Sequence, residues 1–93
     1  MLEPSREQDS VARQIVDSAF AVHTTLGPGL LESVYEQCLG FELELRRLVV
    51  RRQVHQPIFY KELKVDAGLR LDMVVGECVV VEVKAVDKLA PVH

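Results

Sequence analysis

The chain has 93 residues, with 11 Lys and Arg against 14 Asp and Glu, and its formal net charge is −3. This length allows one small domain and excludes two, and the negative charge argues against wholesale electrostatic binding to a polyanion. No apolar run approaches the roughly 20 residues that span a bilayer, and the polar first ten residues do not resemble a secretory signal. We therefore expect a cytoplasmic domain with no membrane contact.

The first predicted element is an amphipathic helix over residues 11–26. Apolar residues recur there at steps of three and four, which places them on one face of a helix. Asp9 or Ser10 is the expected N-cap, because a short polar side chain accepts from the first free backbone N–H groups. The Gly-Pro-Gly sequence at 27–29 ends the helix, since glycine suits the left-handed position after a helix end and proline cannot continue one.

A second helix is predicted immediately afterwards, from an apolar repeat over residues 31–48. We expect it to end near Arg46 or Arg47, where cations favour the negative end of the helix dipole. Gly40 in its middle costs about 1 kcal/mol relative to alanine, so we expect a close approach of another element there.

The remaining elements are predicted strands. Residues 49–60 alternate with period two, but Pro57 makes this strand an edge or bends it. Residues 69–75 and 78–85 are predicted to form a β-hairpin, and the second of these strands is so apolar that we expect it to be the most buried. An odd-numbered loop, for example over 76–78, or a bulge is needed to place Asp72 and Glu82 on the same face, because a two-residue turn would separate them. We expect that register.

Asp72, Glu82 and Lys84 form the predicted chemical site. Two carboxylates at a strand end are suitable ligands for a hard cation such as Mg²⁺ or Mn²⁺, and a neighbouring lysine orients a water or stabilises negative charge. These three side chains therefore supply the groups that metal-assisted hydrolysis of a phosphodiester requires. The alternative from the residues alone is structural: Glu82 and Lys84 form an ion pair, and Asp72 pairs with Arg70 or with a helix.

Two further charge features remain open. Glu32 and Glu36 lie four apart on the second helix, where their repulsion would be resolved by a cation or an arginine. The stretch from 46 to 61 has no acidic residue and carries +5, so it is either a solvated surface or a local set of phosphate contacts. Strand alternation allows only one of the two strand arginines to face the site. The candidate nucleic-acid contacts are Arg46, Arg47, Arg51 and Arg52.

The sequence Gly-Leu-Leu-Glu-Ser-Val-Tyr at 29–35 resembles the signature of the small bacterial GxxExxY proteins, which belong to the PD-(D/E)XK nuclease-like superfamily. The surrounding residues 22–36, and the later segments 70–75 and 81–86, fit the same pattern. The resemblance implies that Asp72 and Glu82 bind the metal, that Lys84 is the catalytic lysine, and that Glu32 completes the metal shell. It also implies a ligand role for the backbone carbonyl of Val83. The family pattern includes His23 as well, but gives it no role here.

This sequence departs from the superfamily pattern in two ways. Leu71 stands where the superfamily name has a proline, and relatives look as though they continue beyond the position of His93 with a helix and a strand. We therefore expect a single, incomplete α+β domain over 1–93, with two N-terminal helices packed on a small three-stranded sheet that contains a β-hairpin. An uncovered strand edge would favour a homodimer. The function hypothesis is metal-dependent, nuclease-like hydrolysis of nucleic acid, and the alternative is a non-enzymatic interaction or accessory module.

Overall fold

The structure is a computed structural model that describes residues 4–84. The predicted strand residue 85 and the family-matched residues 85 and 86 lie outside this range. No helix of the described part is long and apolar enough to cross a membrane. The elements, in chain order, are α1 (Arg6–Leu26), α2 (Glu32–Leu45), β1 (Val50–His55), β2 (Ile58–Tyr60), β3 (Leu63–Val65), β4 (Arg70–Val75) and β5 (Val79–Val81).

Helix α1 begins earlier than predicted, and the expectation of Asp9 or Ser10 as its N-cap is wrong. Ser5 is the N-cap: its hydroxyl accepts from the backbone N–H of Gln8, and the Gln8 side chain accepts from the backbone N–H of Ser5. This reciprocal capping box satisfies two backbone donors that the first helical turn leaves free. The helix ends at Gly27, as predicted, where φ is 78° and glycine avoids the strain of a side chain.

The two helices pack on one face of the sheet β1-β4-β5, which confirms the predicted α+β architecture. Within the described residues, the main core cluster contains five buried side chains from three elements: Val11 of α1, Leu39 and Leu43 of α2, and Met73 and Val75 of β4. Gly40 lies where α2 packs closely against the sheet. A Cβ added there would lie 3.3 Å from Arg52 Cδ and 3.7 Å from Met73 Cε, which confirms the close packing that the sequence predicted.

The predicted strand over 49–60 is both an edge and bent. It divides at Pro57 into β1, an edge of the main sheet, and β2, which forms a separate two-stranded sheet with β3. The β2–β3 hairpin was not predicted. At the junction, His55 Nε2 lies 2.8 Å from the carboxylate of Asp66. The hydrogen bond from His55, the bond from the Gly68 N–H and the charge of His55 lower the pKa of Asp66.

The hairpin of β4 and β5 has the predicted three-residue loop. Val75 pairs with Val79 and Met73 with Val81, so residues 76–78 form the turn. The expectation that β5 is the most buried strand is wrong. β4 is the most buried because it pairs with β1 on one side and β5 on the other, whereas β5 pairs on one side only within the described part. The strand also stops at Val81, short of the predicted residue 85.

Candidate functional site

A cavity of about 770 Å³ opens where the end of α1, the Gly-Pro-Gly turn and the start of α2 approach the chain after β5. Its described wall includes apolar side chains of both helices together with Val81 and Val83. The polar groups around it come from three segments, namely α1, α2 and the chain after β5: His23, Glu32, Tyr35, Glu82 and Lys84. The structure therefore brings the glutamate of the second helix and the Glu-x-Lys pair to one cavity wall.

Asp72 joins this arrangement through the backbone. The register of β4 and β5, continued by one pair, places Asp72 opposite Glu82. The strand pairing has stopped by that point, and Asp72 Oδ2 instead accepts from the backbone N–H of Val83 at 2.8 Å. Asp72 itself is not part of the cavity wall. Its carboxylate fixes the segment in which Glu82 and Lys84 flank Val83.

The predicted structural alternative is not what the structure shows. Within residues 4–84, Glu82 and Lys84 do not form an ion pair with each other, and the partner of Asp72 is a backbone N–H rather than Arg70 or a helix. A carboxylate that caps a strand end leaves its second oxygen available. In the described part, that Asp72 oxygen accepts no hydrogen bond.

The proposed metal ligands offer only oxygen donors. Carboxylate oxygens and a backbone carbonyl are the ligands that Mg²⁺ and Mn²⁺ accept, and Glu32, Glu82, Asp72 and Val83 supply only such donors. Among the described residues, however, no three His, Cys, Asp or Glu side chains lie close enough together to hold a metal ion. The donor types fit a hard cation, and Glu32 and Glu82 share the cavity wall.

Tyr35 and His23 both lie beside the cavity near the last turns of α1. The Tyr35 hydroxyl donates to the carbonyl oxygen of Ala19 at 2.9 Å, which ties α2 to α1 beside the cavity. Ala19 lies one turn before His23, whose own carbonyl accepts from Gly27. His23 is thus a helix-end residue on the cavity wall. The tyrosine of the sequence signature has a structural role in this helix contact.

Three of the four predicted nucleic-acid contacts are paired with carboxylates. Arg46 donates to Glu42 at 3.1 Å, and Arg51 makes two hydrogen bonds to Glu77 at 2.7 and 3.1 Å. Arg52 donates to Glu36 at 3.2 Å. Arg47 is exposed and has a left-handed backbone with φ 65°, and it has no ion pair within the described residues. These pairs neutralise much of the positive charge that the sequence places between 46 and 61.

Glu36 has the partner that the sequence analysis required. It is only 6% exposed, and its carboxylate accepts from Arg52 and also from the Gln53 side-chain amide, at 3.1 and 3.2 Å to its two oxygens. Gln53 could not be identified from the sequence, because a glutamine inside a strand gives no signal of its backbone conformation. Its φ of 54° is unusual for a residue other than glycine.

Comparison with known proteins gives one family. None of the curated proteins and none of the solved structures with which the chain was compared matches it. The sequence profile of the PD-(D/E)XK nuclease superfamily matches residues 9–93, which is nearly the whole chain. That span contains the Asp72, Glu82 and Lys84 positions together with the helix that carries Glu32. The chain therefore belongs to the PD-(D/E)XK nuclease superfamily.

Proposed function

We propose that this protein is a metal-dependent, nuclease-like hydrolase of phosphodiester bonds in nucleic acid. The observation that carries the proposal is the shared cavity wall of Glu32, Glu82 and Lys84, with Asp72 bound to the backbone between the last two. Superfamily membership supports the reaction class. Within the superfamily, the signature at residues 29–35 supports assignment to the GxxExxY proteins.

Each residue has a proposed role in this reaction. Asp72, Glu82, Glu32 and the backbone carbonyl of Val83 would hold Mg²⁺ or Mn²⁺ once the carboxylates draw closer together than they lie in the described residues. The bound ion would stabilise negative charge on the phosphate. Lys84 orients the attacking water and stabilises charge as it develops. The bond between Asp72 and the Val83 N–H keeps the segment of Glu82 and Lys84 against β4.

Nucleic acid is proposed as the substrate on the basis of the superfamily rather than of the basic stretch. The arginines of that stretch already form ion pairs within the protein: Arg46 with Glu42, Arg51 with Glu77 and Arg52 with Glu36. The exposed Arg51–Glu77 pair can exchange its carboxylate for a phosphate at little cost, since surface ion pairs contribute only about 0–1 kcal/mol. Arg47 is exposed and has no ion pair within the described residues.

The test of this proposal is thermal unfolding with and without Mg²⁺ or Mn²⁺. A ligand that binds only the folded state stabilises it by about 2.7 kcal/mol at a hundredfold excess over its dissociation constant. We expect the ion to raise the unfolding midpoint of the wild type but not that of Asp72→Asn or Glu82→Gln. Cleavage of labelled oligonucleotides, with Lys84→Ala as the inactive control, then measures the reaction itself.

The result that contradicts the proposal is equally definite. If the ions leave the wild-type midpoint unchanged, and both variants unfold at the same or a higher temperature than the wild type, then the carboxylates only repel each other. Cleavage activity that persists unchanged in Glu82→Gln and Lys84→Ala would identify a contaminating nuclease. In either case the enzyme proposal fails for this chain.

A second candidate function is a non-enzymatic accessory module. It is favoured by β5, which pairs on one side only within the described part and exposes 53% of Val80. An unpaired strand edge with apolar side chains favours addition of a strand from another chain, including a second copy of this protein. Sedimentation at several concentrations tests it: we expect a dimer that Val80→Lys or Val80→Pro dissociates.

A further inference from the structure

Gln53 breaks the alternation of its strand. Val50 and Arg52 of β1 lie opposite Val75 and Met73, which belong to the core, so the even-numbered residues of β1 face the helices. A regular strand would direct Gln53 to the opposite face. Instead its backbone is left-handed, and its side-chain amide reaches both carboxylate oxygens of Glu36 on α2. The unusual conformation is what turns this side chain towards the helices.

The position of Gln53 connects the two halves of the candidate site. Its neighbours Arg52 and Val54 pair with Met73 and Leu71, so Gln53 lies opposite Asp72 on β4. Its partner Glu36 lies one helical turn after Glu32 on α2. The contact thus joins the helix that carries one proposed ligand to the strand pair that carries another. Strained backbone of this kind persists only where surrounding structure holds it, and it is concentrated at functional sites.

We infer that Gln53 is a positioning residue that sets the placement of Glu32 relative to Asp72. The inference rests on the proposed metal site and goes beyond it, because Gln53 lies outside the cavity wall and its side-chain hydrogen bonds in the described part go to Glu36, which is not a proposed ligand. The buried Glu36 carboxylate has a second donor, Arg52. The amide of Gln53 bonds both carboxylate oxygens and so fixes the orientation of the carboxylate, whereas Arg52 supplies the balancing positive charge.

The experiment compares Gln53→Gly with Gln56→Gly. Glycine at 53 keeps the left-handed backbone without strain and removes the side chain together with its amide. Gln56 is a matched control, because its amide bonds only the carbonyl of the neighbouring Pro57. Mn²⁺ affinity is measured by electron paramagnetic resonance well below the unfolding midpoint of each variant. Loss of a group that orients a metal ligand typically weakens metal binding about 10-fold to 100-fold. We expect a loss in that range for Gln53→Gly and none for Gln56→Gly.

A purely structural role predicts a different pattern. The unfolding midpoint of Gln53→Gly would then fall while the folded protein keeps the wild-type Mn²⁺ affinity, and that result would overturn the inference. The exchange of donor and acceptor in the double variant Glu36→Gln, Gln53→Glu rebuilds the contact with the roles reversed. We expect it to recover most of the Mn²⁺ affinity that each single variant loses, and failure to recover it would also count against the inference.

The metal-free protein provides a second readout. In ¹⁵N–¹H spectra we expect Gln53→Gly to shift the amide signals of residues 32–35 and of Val83, because both ends of the connection move. Shifts confined to the neighbours of residue 53 would overturn the inference even if the metal binds. A wild-type protein that binds no Mn²⁺ overturns both this inference and the proposed function. A wild type that binds Mn²⁺ while Gln53→Gly keeps the same affinity overturns this inference alone, so the two failures are distinguishable.

Discussion

The two ends of the β-ribbon formed by β1–β2 and β3–β4 differ sharply although both are apolar. At the helix-covered end, Met73 and Val75 are completely buried. At the far end, beyond Pro57, Phe59 and Leu63 of the β2–β3 hairpin are 64% and 60% exposed. The residue types are alike, so the difference is due to the cover that α1 and α2 provide and not to the strands themselves.

The candidate site lies at the boundary between these two ends. Burial along β4 increases from the exposed Arg70 through half-buried Leu71 and Asp72 to the buried Met73. A carboxylate at this boundary keeps access to water while its backbone is held by a packed core. The comparison indicates that the helices both build the core and set how far solvent reaches along β4 towards Asp72.

The largest effect is expected from truncation at the buried end. Met73→Ala removes a fully buried side chain, and large-to-small core substitutions of this kind lower the free energy of unfolding by about 2–5 kcal/mol. Leu63→Ala at the exposed end should change it by less than about 0.5 kcal/mol. Urea denaturation of both variants measures the contrast. An equally large loss for Leu63→Ala would show that the hairpin is covered in solution.

A smaller effect is expected where α2 touches the sheet. Gly40→Val places a branched side chain 3.3 Å from the Arg52 side chain and close to Met73. Overpacking of this type costs about 1–3 kcal/mol. Glu44→Val is the control, since it puts the same residue at an exposed position of the same helix. If both variants unfold at the same urea concentration, then α2 can move away from the sheet without loss.

An effect of opposite sign is expected at Ser18. This residue is completely buried in α1, and its hydroxyl oxygen has no hydrogen-bond partner among the described residues. An unsatisfied buried polar group costs about 1–3 kcal/mol, so Ser18→Ala should raise the free energy of unfolding by about 1 kcal/mol. Ser10→Ala, at an exposed position of the same helix, should not. Destabilisation by Ser18→Ala would reveal a partner for the hydroxyl in solution.

The elements that the sequence predicted best are those with a strong local signal. Apolar periodicity located both helices, Gly27 ended the first of them, and the parity of Asp72 and Glu82 predicted the three-residue turn between β4 and β5. The N-cap of α1 was predicted at the wrong residue, but the sequence does carry a local signal for the correct one, because Ser5 and Gln8 match a capping box. The burial of β5 could not be predicted from its apolar composition, since burial depends on which strands pair on each side.

For the candidate site, the sequence could predict only two features: the residue types that bind metal or stabilise charge, and which residues share one face of a strand. Glu32, Glu82 and Lys84 line the same cavity, and an arginine was one of the two expected ways to relieve the repulsion between Glu32 and Glu36. The left-handed backbone of Gln53 and the bond from Val83 to Asp72 were not predicted. Both are departures from regular strand geometry that tertiary contacts impose, and no residue type in the sequence marks them.

The smallest effect concerns the junction between the two ends, where His55 and Asp66 meet. Because the folded protein lowers the pKa of Asp66 below its ordinary value of 3.8, the charged carboxylate stabilises the fold above that value. The contribution disappears as pH falls through the lowered pKa. Asp66→Asn keeps an oxygen for the Gly68 N–H but removes the charge, so we expect a slightly lower unfolding midpoint than wild type at pH 7. The difference should vanish at pH values below the lowered pKa, where Asp66 is protonated in both the folded and the unfolded wild type. A difference that persists at low pH would show that the charge is not its source, and that the junction depends on the shape of the side chain alone.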